Sequence, residues 1–191
     1  MVLLICSLTR KIAYLLCSEN KRAALRYRHG NYGKLKSGSN TSYDDTFDAD
    51  VYQECLKRGL FNLPGSVAVA LNIDGLSSKF SNKSFVIAHT VLLNYSPVER
   101  YYLILMKEDN VLEVTVICGN HKKNLRSLLR PIIKKFETFC CSPIEIYKNG
   151  GHVTSANIHC LTLTGGLVEL NSLMDFVVVQ GLSLDMVVSD A

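Results

Sequence analysis

The sequence specifies an α/β protein, a mixed sheet with a packed helix preceded by a helical segment. Three observations carry that expectation. Residues 66–74 (SVAVALNID) are apolar at nearly every position, the pattern of a strand buried on both faces, which in turn needs covering helices. Two further β-rich runs, 84–94 and 101–118, follow it in series. Then Leu125, Leu128, Leu129, Ile132, Ile133, Phe136 and Phe139 recur at helical steps and form one apolar stripe.

In chain order, Leu8, Ile12, Leu15 and Leu16 predict an amphipathic helix within 3–28. The Gly-, Ser- and Asn-rich stretch up to Asp45 reads as a loop. Asp50 is suited to cap a short helix over 51–58, with Gln53 three residues on to return the hydrogen bond and Gly59 placed to end it. The apolar strand 66–74 comes next and should be central. The run 101–118 is broken at 107–110, which predicts a hairpin or bulge there. The helix over 124–139 contains Pro131, which should kink it or mark its start. It should pack across one face of the sheet, each buried Leu, Ile or Phe contributing about 1.5–3 kcal/mol. SPIEIY and TSANIHCLTLTGG are two more strands around the turn at 148–151. Strands in series, a helix and a further buried strand form the opening of a ribonuclease H-like α/β domain, whereas a doubly wound nucleotide-binding fold alternates strand and helix from the start. The expected organisation is a helical and loop segment over 1–62, an incomplete ribonuclease H-like core over 63–176, and an irregular tail over 177–191.

Composition excludes several classes. Of 191 residues, 48% are apolar and 20% charged, so the chain can build a core and is not globally disordered. The net charge of +4 is spread along the chain and permits contact with nucleic acid without demanding it. Arg10 and Lys11 interrupt the apolar opening and follow its apolar run, the reverse of a secretory signal, and no stretch is long enough to span a bilayer. An intracellular protein without membrane contact is expected. The seven cysteines are odd in number and no two have two residues between them, a spacing that suits neither a zinc site nor a disulfide framework. Reduced and mostly buried thiols follow.

The strongest candidate for chemistry is Asp74, at the end of the most apolar strand, where a carboxylate could hold a divalent cation with the help of a second one. Asp74-Gly75 is equally readable as a turn dipeptide. The acidic run Asp44, Asp45, Asp48 and Asp50 lacks the central glycine and final glutamate of a calcium loop and reads as a solvated loop. His159 and Cys160 are adjacent in a strand and should point to opposite faces. Lys122, Lys123, Arg126 and Arg130 form a basic group that could face phosphate or simply line a solvated helix.

Five runs occur in a telling order: RYRHGNY (26–32), YDDTFDADVYQE (43–54), SVAVALNIDGLSSKFSNKSF (66–85), LNYSPVERY (93–101) and LRSLLRPIIKKF (125–136). Together they resemble the transposases of CACTA-type (En/Spm-like) cut-and-paste DNA transposons over roughly residues 24–173. The resemblance implies a ribonuclease H-like catalytic core, magnesium held by acidic residues, DNA as partner and a nuclear location. Asp74 matches the first acidic position of that family. The second, a Gly-Asp pair after a strand, falls on Gly165-Gly166, so at Gly166 the aspartate is missing. The tail FVVVQGLSLDMVVSDA departs from the family and reads as a frameshifted end.

The expectation is therefore a truncated, degenerate, catalytically inactive transposase remnant that retains DNA contact and needs no cofactor. One alternative is an active magnesium-dependent nuclease or strand-transfer enzyme that recruits Glu169 or Asp175 as second ligand within about 4–6 Å of Asp74. Another is an unrelated α/β interaction module, favoured if the strand carrying Asp74 lies at a sheet edge. An apolar sheet face left uncovered would promote self-association and marginal stability.

Overall fold

In the computed structural model the described residues are 2–5, 7–30, 45–77, 84–100, 111–118 and 125–166. The chain is a mixed α/β structure. Its strands are β1 (Val2–Ile5), β2 (Val67–Ser77), β3 (Ser84–Leu92), β4 (Val111–Cys118), β5 (Ile144–Lys148), β6 (Gly151–Ala156) and β7 (Ile158–Gly165). The helices are α1 (Leu8–Cys17), α2 (Glu19–Ala24), α3 (Tyr27–Gly30), α4 (Asp50–Lys57) and α5 (Leu125–Cys141). Five strands form one sheet in the order β1-β4-β3-β2-β7, and β5 and β6 form a separate hairpin. β2, β3 and β4 are an antiparallel meander, and the chain then returns through α5 to lay β7 parallel to β2. β2 is thus interior, hydrogen-bonded on both sides, as its continuous apolar run predicts.

Alternation along β2 divides the core in two. Val67, Val69, Leu71 and Ile73 join one cluster with α1 (Leu8, Ile12, Leu15, Leu16) and α5 (Leu129, Ile132, Phe136, Phe139). Ala68 faces the other way, into a smaller cluster with Phe47, Tyr52, Cys55, Phe61, Leu93 and Leu161. Bulges between Val69 and Ala70 and between Ala88 and His89 shift the register and re-aim the side chains beyond them. Of the α5 stripe, Leu129, Ile132, Phe136 and Phe139 are buried as their spacing predicts, with Pro131 inside the helix and exposed.

Several local expectations are corrected. The opening is not helical from Leu3: β1 pairs antiparallel with β4, and the helix begins only after Ser7, whose hydroxyl accepts from the Arg10 N–H. An apolar strand running into an apolar helix leaves no boundary in the hydropathy pattern. α1 covers the same face of the sheet as α5, so the part of the opposite face that is closed is closed by residues 47–61 instead. Asp50 does not cap α4. Ala49 holds that position without a side-chain bond, and the reciprocal capping box sits on the preceding 3-10 turn, between Asp45 and Asp48. Three aspartates at suitable spacing make the sequence ambiguous there. Gly59 does follow the C-cap of α4, at φ 76°, where glycine is favoured.

TSANIHCLTLTGG is two strands rather than one. Asn157 divides them: its carbonyl accepts from Val67 N–H at 2.8 Å and its amide donates to the Cys140 carbonyl at 3.0 Å. This redirects the chain from the β5–β6 hairpin into the main sheet. The break expected at 107–110 and the tail over 177–191 lie outside the described residues.

The hairpin turn has Asn149 at φ 52° and Gly150 at φ 80°, both left-handed, the geometry that Asn-Gly favours. A β-carbon on Gly150 would meet nothing within 4 Å, so only backbone strain opposes one. Gly150→Ala is expected to cost about 1–2 kcal/mol, lowering the melting temperature by a few degrees. An unchanged melt would show the turn to be otherwise.

Candidate functional site

Asp74 lies near the C-terminal end of β2, on the face opposite α1 and α5, and its side chain is exposed. It pairs with Ile87 of β3. On its other side the last parallel pair is Ile73 with Gly165, where β7 ends, and Gly166 follows outside the strand. Position 165 has a structural reason to be glycine, because a β-carbon there would collide with the Ile73 carbonyl oxygen.

Two residues before Asp74, on the same face, a polar row crosses three strands. The Thr164 hydroxyl of β7 donates to the Asn72 side-chain carbonyl, and the Asn72 amide lies 3.1 Å from His89 Nε2 on β3. With the amide donating, His89 Nε2 is the acceptor of this bond. Register also pairs His89 with Glu113 of β4. Sequence reasoning missed this row. The available signal was the i, i+2 placement of Asn72 and Asp74 at the end of an otherwise apolar strand, which sends both to one face.

A metal-dependent nuclease would need carboxylates converging beside Asp74. Among the described residues, no three His, Cys, Asp or Glu side chains are grouped to hold a metal ion. Gly165 and Gly166, at the adjoining end of β7, carry no side chain that could ligate one. Glu169 and Asp175, the alternative ligands, lie outside the described residues, as do Lys122 and Lys123. Arg126 falls in the first turn of α5. Arg130 is exposed on α5, which packs on the other side of the sheet from Asp74, so those two are not brought to one surface.

The acidic run is not a solvated loop at Asp45. Its carboxylate is 2% exposed and lies 2.6 Å from Arg100 Nη2, while its other oxygen accepts from Thr46 N–H. His159 and Cys160 do face opposite ways: the imidazole stacks against Phe61 at 4.4 Å, and the thiol enters the α5-side cluster. Burial pushes the Cys160 thiol up to about 12, so it is an inert core group.

On the β5–β6 hairpin, Glu145 Oε2 lies 2.7 Å from Ser155 Oγ and 2.8 Å from His152 Nε2, and Ser155 Oγ lies 3.1 Å from the same nitrogen. Hydrogen bonds from Ser155 and then His152 hold the Glu145 carboxyl below its usual range. This trio is not a nucleophilic relay. A relay uses both imidazole nitrogens, acid on one and serine on the other, whereas here both partners crowd Nε2 and the serine bonds directly to the acid. It is an exposed cross-strand clamp.

No helix among the described residues is long and apolar enough to cross a membrane. Scans against protein-family models, curated proteins and solved structures each return no match to this chain.

Proposed function

We propose that this chain is a transposase-derived protein of the CACTA type, with a ribonuclease H-like sheet that contacts DNA but does not cut it. One observation supports this reading above the others. The meander β2-β3-β4 is followed by a helical crossover to β7, parallel to β2, an arrangement that a ribonuclease H-like core would have, and glycine occupies positions 165 and 166 at the end of β7 that adjoins Asp74. A two-metal mechanism clamps both attacking and leaving oxygens, so loss of one carboxylate ligand removes the clamp. The interior position of β2 also weighs against an unrelated interaction module. The reading implies a nuclear site of action.

The test is incubation of the purified chain with supercoiled plasmid and Mg2+ or Mn2+. Wild type and Asp74→Ala are both expected to leave the plasmid intact. Nicking by wild type that disappears in Asp74→Ala would overturn the inactive reading in favour of a magnesium enzyme completed by Glu169 or Asp175. For DNA contact, replacing Lys122, Lys123, Arg126 and Arg130 by glutamine should weaken duplex binding and flatten its salt dependence, by about 0.9 in log–log slope for every phosphate no longer neutralised. Unchanged binding removes these residues from the interface.

A further inference from the structure

We infer that the cavity between α2 and the N-terminal end of β2 is a binding site for a phosphate group carried on a small organic moiety. The cavity is about 240 Å³, and Arg22 and Arg26 both line it. Ser66 and Asp74 are eight residues apart on one extended segment, which sets the cavity about 26 Å from the Asp74 end of the sheet. The inference is independent of the transposase reading.

Arg22 lies in the last turn of α2 and Arg26 just beyond its C-cap Leu25, and both line the one cavity. Like charges brought to one cavity repel, and none of the residues lining it is acidic. An anion held between the two guanidiniums removes that repulsion. Arg22 is pre-positioned, since its Nη1 donates at 2.6 Å to the Leu16 carbonyl at the end of α1. Guanidinium forks match phosphate oxygens bidentately, and two of them favour a phosphate over a carboxylate of single charge.

Ser66 also lines the cavity. Ser66 is 1% exposed, and its hydroxyl has no hydrogen-bond partner among the described residues. Such groups are rare in folded proteins and call for an explanation. Asn94, beside it, is committed elsewhere: it accepts from Ala68 N–H and donates to the Leu25 and Ser66 carbonyls. Gly65 brings the backbone close to the hairpin, because a β-carbon there would stand 2.7 Å from the Ser155 carbonyl oxygen. The volume exceeds that of a bare phosphate, and Leu16, Leu25, Pro64 and Val153 contribute apolar wall beside the arginines, which leaves room for the organic part of a phosphate ester.

Calorimetric titration of the full chain with inorganic phosphate should show saturable binding to one site. Arg26→Gln should weaken it about tenfold, the loss expected for one charge-assisted hydrogen bond. The Arg26 side chain is exposed, so this variant should stay folded where Arg22→Gln, which releases the Leu16 carbonyl, could unfold. Lys57→Gln, on exposed α4, should bind as wild type does. Competition by a nucleoside 5′-monophosphate alone would identify a free phosphate ester, and competition also by a single-stranded DNA decamer would identify a strand phosphate. Absence of saturable phosphate binding, or equal binding by Arg26→Gln and wild type, overturns the assignment.

Discussion

Asp45→Ala is expected to lower the unfolding free energy by about 3–5 kcal/mol, the usual cost of removing one partner from a buried ion pair. The pair is well placed for such an effect. Asp45 is 2% and Arg100 11% exposed, at 2.6 Å. Arg100 also donates from Nε to the Tyr95 carbonyl at 2.7 Å, and its guanidinium lies over the rings of Phe47 and Tyr27 at 5.7 and 6.0 Å. It therefore pins the 3-10 turn Thr46–Asp48 to the segment after β3, with 55 residues of sequence between the two charges. Phe47, carried by that turn, is a core member of the cluster covering part of the second sheet face. Losing the pair should loosen that cover. Asp45→Asn keeps an acceptor for Thr46 N–H and should recover only the capping share, about 1 kcal/mol. Urea unfolding of Asp45→Ala, Arg100→Gln and the double variant would measure the coupling. Single variants within 0.5 kcal/mol of wild type, a range typical of surface changes, would show the pair to be incidental.

That ion pair marks where sequence reading stops. The α5 stripe and the apolar run of β2 were legible because each is a local pattern, the one a helical period set by a single buried face and the other a continuous run set by burial on both faces. Asp45 sits in a stretch whose composition signals solvent, and only the tertiary return of Arg100 buries it. The same limit applies to Asn157, which ends one strand and starts another by bonding to Val67 and Cys140, partners distant in sequence. It applies to β1 as well, whose apolar residues run into those of α1 without a break in pattern.

The candidate site divides in the same way. Asp74 was legible as a carboxylate late in an apolar strand, but β2 runs on through Gly75 to Ser77, so Asp74-Gly75 is neither its end nor a turn; alternation alone puts Asn72 on the face of Asp74. The partners Thr164 and His89 depend on the parallel and antiparallel registers, which hydropathy does not encode. The resemblance to CACTA transposases pointed to Gly165-Gly166 as the matching position. In the β2–β7 register the last pair is Ile73 with Gly165, so this end of β7 adjoins the Asp74 end of β2. The cavity between Arg22 and Arg26 was illegible, because its walls come from segments as far apart in the chain as Leu16 and Thr154.

Acidification should expose the second cluster through His159. The imidazole is 3% exposed, and its Nε2 accepts from the Phe61 N–H at 3.4 Å. Phe61 itself is held at φ 66°, a left-handed conformation that a bulky residue adopts only when its surroundings enforce it. Burial first, and the charge of Arg28 second, push the His159 pKa down from 6.5 to about 4. Arg28 is 1% exposed and stacks on the same Phe61 ring at 5.0 Å. Protonation of His159 would place a second cation beside it and remove the acceptor for Phe61 N–H. In the unfolded chain the imidazole takes its proton near pH 6.5, so between 6.5 and 4 the unfolded state binds more protons than the folded one. Stability contributed by neutral His159 is therefore fully present above pH 6.5 and is lost as pH falls towards 4, by roughly 3 kcal/mol in all. Gln at this position keeps an acceptor and does not titrate. Urea unfolding at about pH 7 and pH 4 should show wild type losing roughly 3 kcal/mol more than His159→Gln, while the carboxylates contribute equally to both. Parallel losses in the two proteins would mean that His159 is not the group through which acid opens this face of the sheet.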